Sequence, residues 1–446
     1  MSETPDIGWI DEFIERIRPF VAVRLTDNVV IRMPNEAFKV NRTGALALDH
    51  LLKGGRVAEI LEARDNDSET AKQLNSFFYD MVLMLKGELC ENYSSPALNR
   101  TTFELGYIEL PVLSEIALTD RCNLKCSFCY AACAHVCSAT GDEHGEMSTD
   151  DVKTVLTAVR EDAEVPSVSF TGGEPTLRRD LAELIAYAHD ELKMRVNLIT
   201  NGSLITEEMA QSFKDAGLAS AQVSIESPIE EIHDEIVGVP GSFKKSVTGI
   251  TALKKAAVRV HPHTTICRAN AESVTGMAAF AKDLDIPRFS TNMVVPAGRG
   301  TDEEILVGYA EIGAVLEGVM EVAKAEGIEF MWYSPTPVCL FNPVKHGLGN
   351  KGCSACEGLL SVDYKGRILP CSSWDEPLGS LLTDDFNEIW FSERSKFIRA
   401  KGEAHSGCKT CEHFALCHGA CPLYFDVHGY AEIEEIVQKL TKEAAV

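Results

Sequence analysis

Between residues 105 and 310 the chain switches from strand-like to helix-like patterning six times. That rhythm limits its fold more than any other feature. The strand-like runs are Ser114-Glu-Ile-Ala-Leu-Thr, Ser167-Val-Ser-Phe-Thr, Arg195-Val-Asn-Leu-Ile-Thr, Ala221-Gln-Val-Ser-Ile, His263-Thr-Thr-Ile-Cys and Arg288-Phe-Ser-Thr-Asn-Met-Val-Val. Helical periodicity fills the gaps. Ser148 stands as a cap ahead of Val152, Val155, Leu156 and Val159, which share one face, and Leu181-Ala-Glu-Leu-Ile-Ala-Tyr-Ala and the stretch near Glu207–Ala216 repeat the pattern. Six βα units in one run imply an α/β fold with a parallel sheet and right-handed crossovers. Functional groups in such folds gather at the C-terminal ends of the strands.

Each strand end carries residues suited to chemistry. The first leads into Cys122-Asn-Leu-Lys-Cys126-Ser-Phe-Cys129, a C-x3-C-x2-C triplet. Three thiolates fill three iron positions of a [4Fe–4S] cluster and leave one open, whereas structural zinc takes four protein ligands. The second ends in Gly172-Gly173-Glu174-Pro175, where glycine lets a ligand approach the backbone. The third ends in Thr200-Asn201-Gly202, a tight turn whose Asn201 offers donors and acceptors; an ordinary turn accounts for the same residues. Ser224-Ile-Glu226 ends the fourth, Arg268 follows the fifth, and Pro296-Ala-Gly298-Arg299-Gly300 ends the sixth.

These motifs resemble those of the radical S-adenosylmethionine (radical SAM) enzymes. The resemblance implies a partial (β/α)6 barrel. It implies that SAM chelates the open iron of the cluster on Cys122, Cys126 and Cys129 and is cleaved to a 5′-deoxyadenosyl radical. By the same resemblance Gly172, Gly173 and Glu174 face the SAM amino group, Asn201 the adenosine, and Ser224 and Glu226 the ribose and carboxylate. Glu226 stands where relatives often carry Asp. His233-Asp234-Glu-Ile-Val237-Gly238 resembles a family run in which Arg occupies the position of Val237. Arg268 is the candidate replacement cation. The Gly298–Gly300 loop is expected near the adenine.

From residue 335 onward the patterning is lost, and eight cysteines fall between Cys339 and Cys421. Clusters supply stability where a small core cannot. Cys356-x9-Gly366-x4-Cys371 and Cys408-x2-Cys411-x5-Cys417-x3-Cys421 resemble the SPASM extension, which carries auxiliary Fe–S clusters. That resemblance assigns Cys353, Cys356, Cys371 and Cys421 to one auxiliary cluster, and Cys408, Cys411 and Cys417 to a second. The usual eighth ligand lies downstream, and no Cys follows Cys421. Asp426, His428, Cys339 or an iron left open for substrate are the alternatives. A zinc ribbon is the competing reading of these pairs. Cys133 and Cys137 form a further metal site, a catalytic thiol pair or inert thiols; Cys90 and Cys267 read as buried thiols. The segment Glu432–Ala445 reads as helix.

Residues 1–95 carry two short strands, Phe20-Val-Ala-Val-Arg and Val29-Val-Ile-Arg. Helices follow from Thr43 to Leu52, from Val57 to Leu61, and from a Ser68 cap through Phe77, Phe78, Met81 and Leu85. This winged-helix-like order resembles the PqqD-like element that captures an unstructured leader peptide by strand addition; a generic adaptor is the other reading. The expected organisation is therefore a recognition unit at 1–95, a radical SAM barrel at 105–310 and a cluster unit at 335–446.

A net charge of −25 opposes binding to phosphate backbones, so nucleic acid is not an expected partner. No apolar run reaches the ~20 residues of a membrane span. The N-terminus lacks a signal-peptide pattern, so the fifteen cysteines point to metal ligands in a reducing cytoplasm under low oxygen. The expected cofactors are SAM, a [4Fe–4S] SAM cluster and one or two auxiliary clusters. The expected partners are a precursor peptide and a reductant such as flavodoxin or ferredoxin. The expected activity is oxidative modification of a ribosomally made peptide, giving a thioether, a carbon–carbon crosslink or a related change. The alternatives are the same chemistry on a tetrapyrrole or another small cofactor precursor, and a non-catalytic Fe–S electron carrier.

Overall fold

The computed structural model describes residues 5–34, 36–86, 108–135 and 145–436. The N-terminal unit comprises α1 (Trp9–Ile17), β1 (Val21–Arg24), β2 (Val29–Arg32), β3 (Glu36–Lys39), α2 (Arg42–Leu52), α3 (Val57–Glu62) and α4 (Ser68–Lys86). The three strands form an antiparallel meander in the order β1-β2-β3. Two elements go beyond the sequence reading. Helix α1 forms because Ile10 and Ile14, four apart, bury against Leu48, Leu51, Phe78 and Met81. Strand β3, Glu36-Ala-Phe-Lys39, does not alternate apolar with polar residues. The cap of α4 also differs from expectation. Ser68 is the first helical residue, and the Asp67 carboxylate accepts from the Thr70 amide at 2.9 Å and the Glu69 amide at 3.3 Å.

A buried ion pair ties this unit to the rest. Arg24 and Asp27 meet at 2.8 Å with both side chains shielded from water. Arg24 also donates to the carbonyls of Leu110 and Pro111, and the Glu109 amide donates to Asp27 at 3.0 Å. Val29 and Ile31 pack beside Ile108 and Val112. The β1–β2 turn thus grips the chain as it enters the central sheet. Removing one partner of such a pair costs roughly 3–5 kcal/mol.

The central region runs β4 (Leu113–Ala117), β5 (Arg121–Cys122), β6 (Ala134–His135), α5 (Thr149–Glu161), β7 (Ser167–Thr171), α6 (Leu181–Ala186), β8 (Arg195–Thr200), α7 (Glu207–Asp215) and β9 (Leu218–Ser224). It continues through α8 (Glu230–Val237), α9 (Ser242–Lys255), β10 (Arg259–Ile266), α10 (Met277–Asp283), β11 (Arg288–Met293), α11 (Tyr309–Glu326) and β12 (Glu329–Trp332). As expected, Ser148 caps α5, in a reciprocal box with Asp151. The C-terminal part adds β13 (Leu359–Val362), β14 (Arg367–Leu369), β15 (Gly379–Ser380), α12 (Phe386–Trp390), α13 (Glu393–Arg399), α14 (Ser406–Lys409), α15 (Phe414–Cys417) and α16 (Pro422–His428). Residues 431–436 are helical; the rest of the expected terminal helix lies outside the described residues, as do Cys90 and Cys137.

Ten strands form one sheet in the order β12-β11-β10-β9-β8-β7-β4-β13-β14-β15. The six expected strands are parallel neighbours, and β12 adds a seventh. Strand β13 lies parallel to β4, so the cysteine-rich region continues the same sheet. Among the described residues the sheet does not close into a barrel. Successive strand residues point to opposite faces. Ile116, Phe170, Leu198, Val223, Ile266 and Phe289 are buried in the main core. The alternate residues are polar and bonded across strands: Asn197 to Ser169 and Ser220, His261 to Gln222, and His263 to Ser290 and Asn292.

Candidate active site and cluster sites

The three cysteines of the triplet sit on one loop after β4, braced from below and from two sides. Arg121 holds Glu146 through two bonds of 3.0 Å, and Thr119 donates to the same carboxylate. The last carbonyls of α8, which have no partner within the helix, accept from the loop. Lys125 N–H donates to Val237 at 2.9 Å and Ser127 N–H to Ile236 at 3.0 Å. Val237 itself is buried, so the residue standing in place of the family arginine supports the loop through its backbone.

Gly172 and Gly173 run directly beneath this loop. Gly173 N–H donates to Thr119 and Glu174 N–H to Arg121, both at 2.8 Å. A Cβ on Gly173 would lie 2.1 Å from the Arg121 carbonyl oxygen, and one on Gly172 2.4 Å from that of Thr119. Glycine is required here by the neighbouring backbone, whereas the sequence argument attributed the requirement to a ligand. The Gly298–Gly300 loop has the same relation to the other side. A Cβ on Gly298 would meet the Tyr130 carbonyl oxygen at 2.2 Å, and Arg299 N–H donates to Cys129 at 2.9 Å.

Glu174 is fully buried. Its Oε1 accepts from Thr176 N–H (3.0 Å), Thr176 Oγ1 (2.5 Å) and Thr200 Oγ1 (2.7 Å), and its Oε2 from Asn201 N–H (2.8 Å). Burial raises its pKa against the pull of these donors. Asn201 reaches back to the cysteine loop, donating to Asn123 at 2.8 Å. Glu226 is buried beside Cys126 and accepts from Thr265 N–H at 2.8 Å; burial lifts its carboxyl to about 8. Ser224 is half-buried at the end of β9, paired with His263 of β10. Arg268 stands apart. Its half-exposed guanidinium pairs with Glu311 at 2.7 Å and donates to the Leu306 carbonyl at 2.8 Å.

Arg299 is the group that reading the sequence missed. Its guanidinium donates to the carbonyls of Cys126 (3.0 Å) and Cys133 (3.4 Å), and its charge acts on all three cysteines. The signal was present, a lone Arg inside a glycine-rich strand end. Burial pushes the Cys122 thiol up to about 12. Cys133, buried against the triplet, donates to Cys129 and lowers its pKa to about 5. Three shielded thiols under one cation suit a [4Fe–4S] cluster, whose irons supply the positive charge that thiolates need at such a depth.

A second group of thiols lies across β4 and β13. Cys371 sits against Cys353 and Cys421, and Cys356 against Cys353. Lys401 is buried with Glu357 at 2.6 Å and donates to the Cys353 carbonyl at 2.6 Å, while Arg399 donates to the Cys356 carbonyl at 2.7 Å. Burial pushes Cys356 and Cys421 up to about 12. Cys408, Cys411 and Cys417 form a third group on α14, α15 and the turn between them. The Tyr130 hydroxyl, one residue past Cys129, lies near Ser372, one residue past Cys371. The first two groups are thus neighbours across the pairing of β4 with β13.

Comparison with known proteins agrees with this layout. The Radical SAM superfamily model matches residues 116–281, and the SPASM iron–sulfur cluster-binding domain matches residues 353–412. The AdoMet-dependent heme synthase of Methanosarcina barkeri is 31% identical over 324 residues, covering 69% of this chain and 90% of that protein. The sporulation killing factor maturation protein SkfB of Bacillus subtilis is 23% identical over 422 residues, covering 93% of this chain and 98% of that protein. Streptococcus suis SuiB bound to its precursor peptide SuiA shares the fold with a TM-score of 0.66 at 17% identity, covering 91% of this chain and 95% of SuiB. The chain belongs to the radical SAM superfamily, as an enzyme with a SPASM domain that employs SAM, a [4Fe–4S] cluster and auxiliary iron–sulfur clusters.

Proposed function

We propose that this enzyme oxidatively modifies a ribosomally made peptide. Cys122, Cys126 and Cys129 hold the SAM-cleaving cluster, and Gly172, Gly173, Glu174, Asn201, Ser224 and Glu226 shape the SAM pocket above it. Cys353, Cys356, Cys371 and Cys421 hold one auxiliary cluster, and Cys408, Cys411 and Cys417 a second. Bound SAM and its cluster supply a 5′-deoxyadenosyl radical that takes a hydrogen atom from an unactivated carbon. The chain's own residues do the rest. Arg299 holds the cysteine loop, Glu174 fixes the ends of β7 and β8, and the polar face of β8–β11 orients the substrate. An external donor such as flavodoxin or ferredoxin feeds the reaction. Residues 1–95, 105–310 and 335–446 divide the work as recognition, radical and auxiliary units.

The observation that carries the peptide reading is the N-terminal sheet. Among the described residues β3 is paired on one side only, with β2. Its other edge would be the one to accept an added strand from a leader peptide. The 93% match to SkfB includes most of this unit, whereas the 69% match to the heme synthase leaves enough of the chain outside to omit it. The higher identity of the heme synthase favours a second reading, the same radical chemistry on a tetrapyrrole precursor.

The two readings separate on the full-length, anaerobically reconstituted enzyme. It is given the short peptide encoded beside its gene, or a tetrapyrrole precursor. The peptide reading expects leader-dependent binding and an oxidative mass loss in the peptide. Turnover of the tetrapyrrole with no peptide binding replaces it with the second reading. No helix among the described residues is long and apolar enough to cross a membrane.

A further inference from the structure

We propose that Cys339 is the fourth protein ligand of the second auxiliary cluster, completing Cys408, Cys411 and Cys417 and leaving that cluster no iron open to substrate. The inference rests on the assignment of those three cysteines to a cluster, and it deepens that reading by excluding a substrate thiolate from this centre.

Cys339 lies upstream of the whole cysteine-rich motif, in the loop that leaves β12. Two features bring it to the third thiol group. The first is the anchoring of the loop. Thr336 is buried; its amide donates to the Lys351 carbonyl at 3.1 Å and its hydroxyl accepts from Trp332 Nε1 at 2.8 Å. The Tyr309 hydroxyl donates to the Pro335 carbonyl at 2.9 Å and accepts from the Cys421 amide at 3.4 Å. One phenol therefore pins the Cys339 loop to the end of the C-x2-C-x5-C-x3-C run. The turn then closes, with the amides of Leu340 and Phe341 both donating to the Pro337 carbonyl at 3.0 Å. Phe341 enters the same core against which Cys408 and Cys421 pack.

The second feature is the company of the thiol. The thiols acting on Cys339 are those of Cys417 and Cys411; those acting on Cys408 are Cys417, Cys339 and Cys411. Four sulfurs from two separate segments thus lie within electrostatic reach of one another, as many as the irons of a [4Fe–4S] cluster. Among the described residues, the groups acting on Cys408 are Cys417, Cys339 and Cys411 alone, and neither Asp426 nor His428 is one of them.

The test uses full-length protein reconstituted anaerobically, read by iron and sulfide analysis and Mössbauer spectroscopy. The wild type is expected to carry about twelve irons. In the Cys122→Ala/Cys126→Ala/Cys129→Ala background about eight remain. Adding Cys339→Ala should then convert one cluster to a three-iron form or lose it, while Asp426→Ala and His428→Ala leave both intact. An unchanged spectrum for Cys339→Ala, or the loss appearing in His428→Ala or Asp426→Ala instead, overturns the inference. A wild type holding only about eight irons overturns the second cluster itself and the inference with it. Alkylation of the native holoenzyme gives a readout without any variant. Cys339 is an exposed residue, so it should be labelled after iron is stripped and protected before. Labelling in the loaded enzyme overturns its role as a ligand.

Discussion

At Arg299 one guanidinium acts on three thiols and two carbonyls of the same loop. Removing it takes away charge-assisted bonds worth about 1.5–3 kcal/mol each. Arg299→Ala is therefore expected to lower the SAM-cluster iron content and reductive formation of 5′-deoxyadenosine at least tenfold. Arg299→Lys, which keeps the charge without the planar fork, should fall between. Anaerobic iron analysis beside a 5′-deoxyadenosine assay checks both. Glu174 offers a sharper change. Asn201 N–H and Thr176 N–H address its two oxygens, and neither backbone donor can turn away. Glu174→Gln must set an NH2 against one of them, at a cost of about 1–3 kcal/mol. SAM affinity, measured by equilibrium dialysis, should drop roughly ten- to hundredfold. That Glu174 belongs at a strand end was legible in the sequence. Its donors were not, because Thr200 and Asn201 meet it only through the register of β7 on β8. Likewise, sequence order could nominate Arg268 as a cation but could not show that Glu311 engages it at the surface.

The inner face of β10 carries His261 and His263, with pKa values lowered by burial to about 3 and about 4. Both are therefore neutral in the native state near pH 7. Unfolding restores an ordinary value near 6.5, so the unfolded chain binds more protons as pH falls. Stability is thus complete above about 6.5 and is lost progressively towards pH 4, by a few kcal/mol at most for His263. Urea denaturation between pH 7 and 5 should show this loss, and His263→Gln, which keeps a polar contact without a titrating ring, should flatten the slope. Alternation made these strands readable, because β-branched and polar residues change places at every step. It could not reveal β3 or β12, whose apolar residues stand side by side in Glu36-Ala-Phe-Lys39 and Glu329-Phe-Met-Trp332. Those strands are set by pairing with β2 and β11, and not by a pattern of their own.

Across the whole molecule the sheet runs unbroken from β12 to β15, so the radical and cysteine-rich regions share one core. Their stabilities differ in origin. The helices over β7–β11 bury apolar side chains, while residues 353–421 carry short elements and thiols. Stripping iron with a chelator should therefore raise amide exchange across residues 353–428 and leave residues 149–293 protected. Equal loss in both would mean that the clusters do not hold the C-terminal part together. The six βα units were legible as a fold, but the attachment of β13 to β4 was not, since it joins positions some 240 residues apart. Tyr130 and Ser372 approach each other across the same seam. Through that pairing, the spacing between the first two groups of thiols is set by the sheet before any substrate arrives. The enzyme carries its own spacer, and substrates of different size must fit the interval.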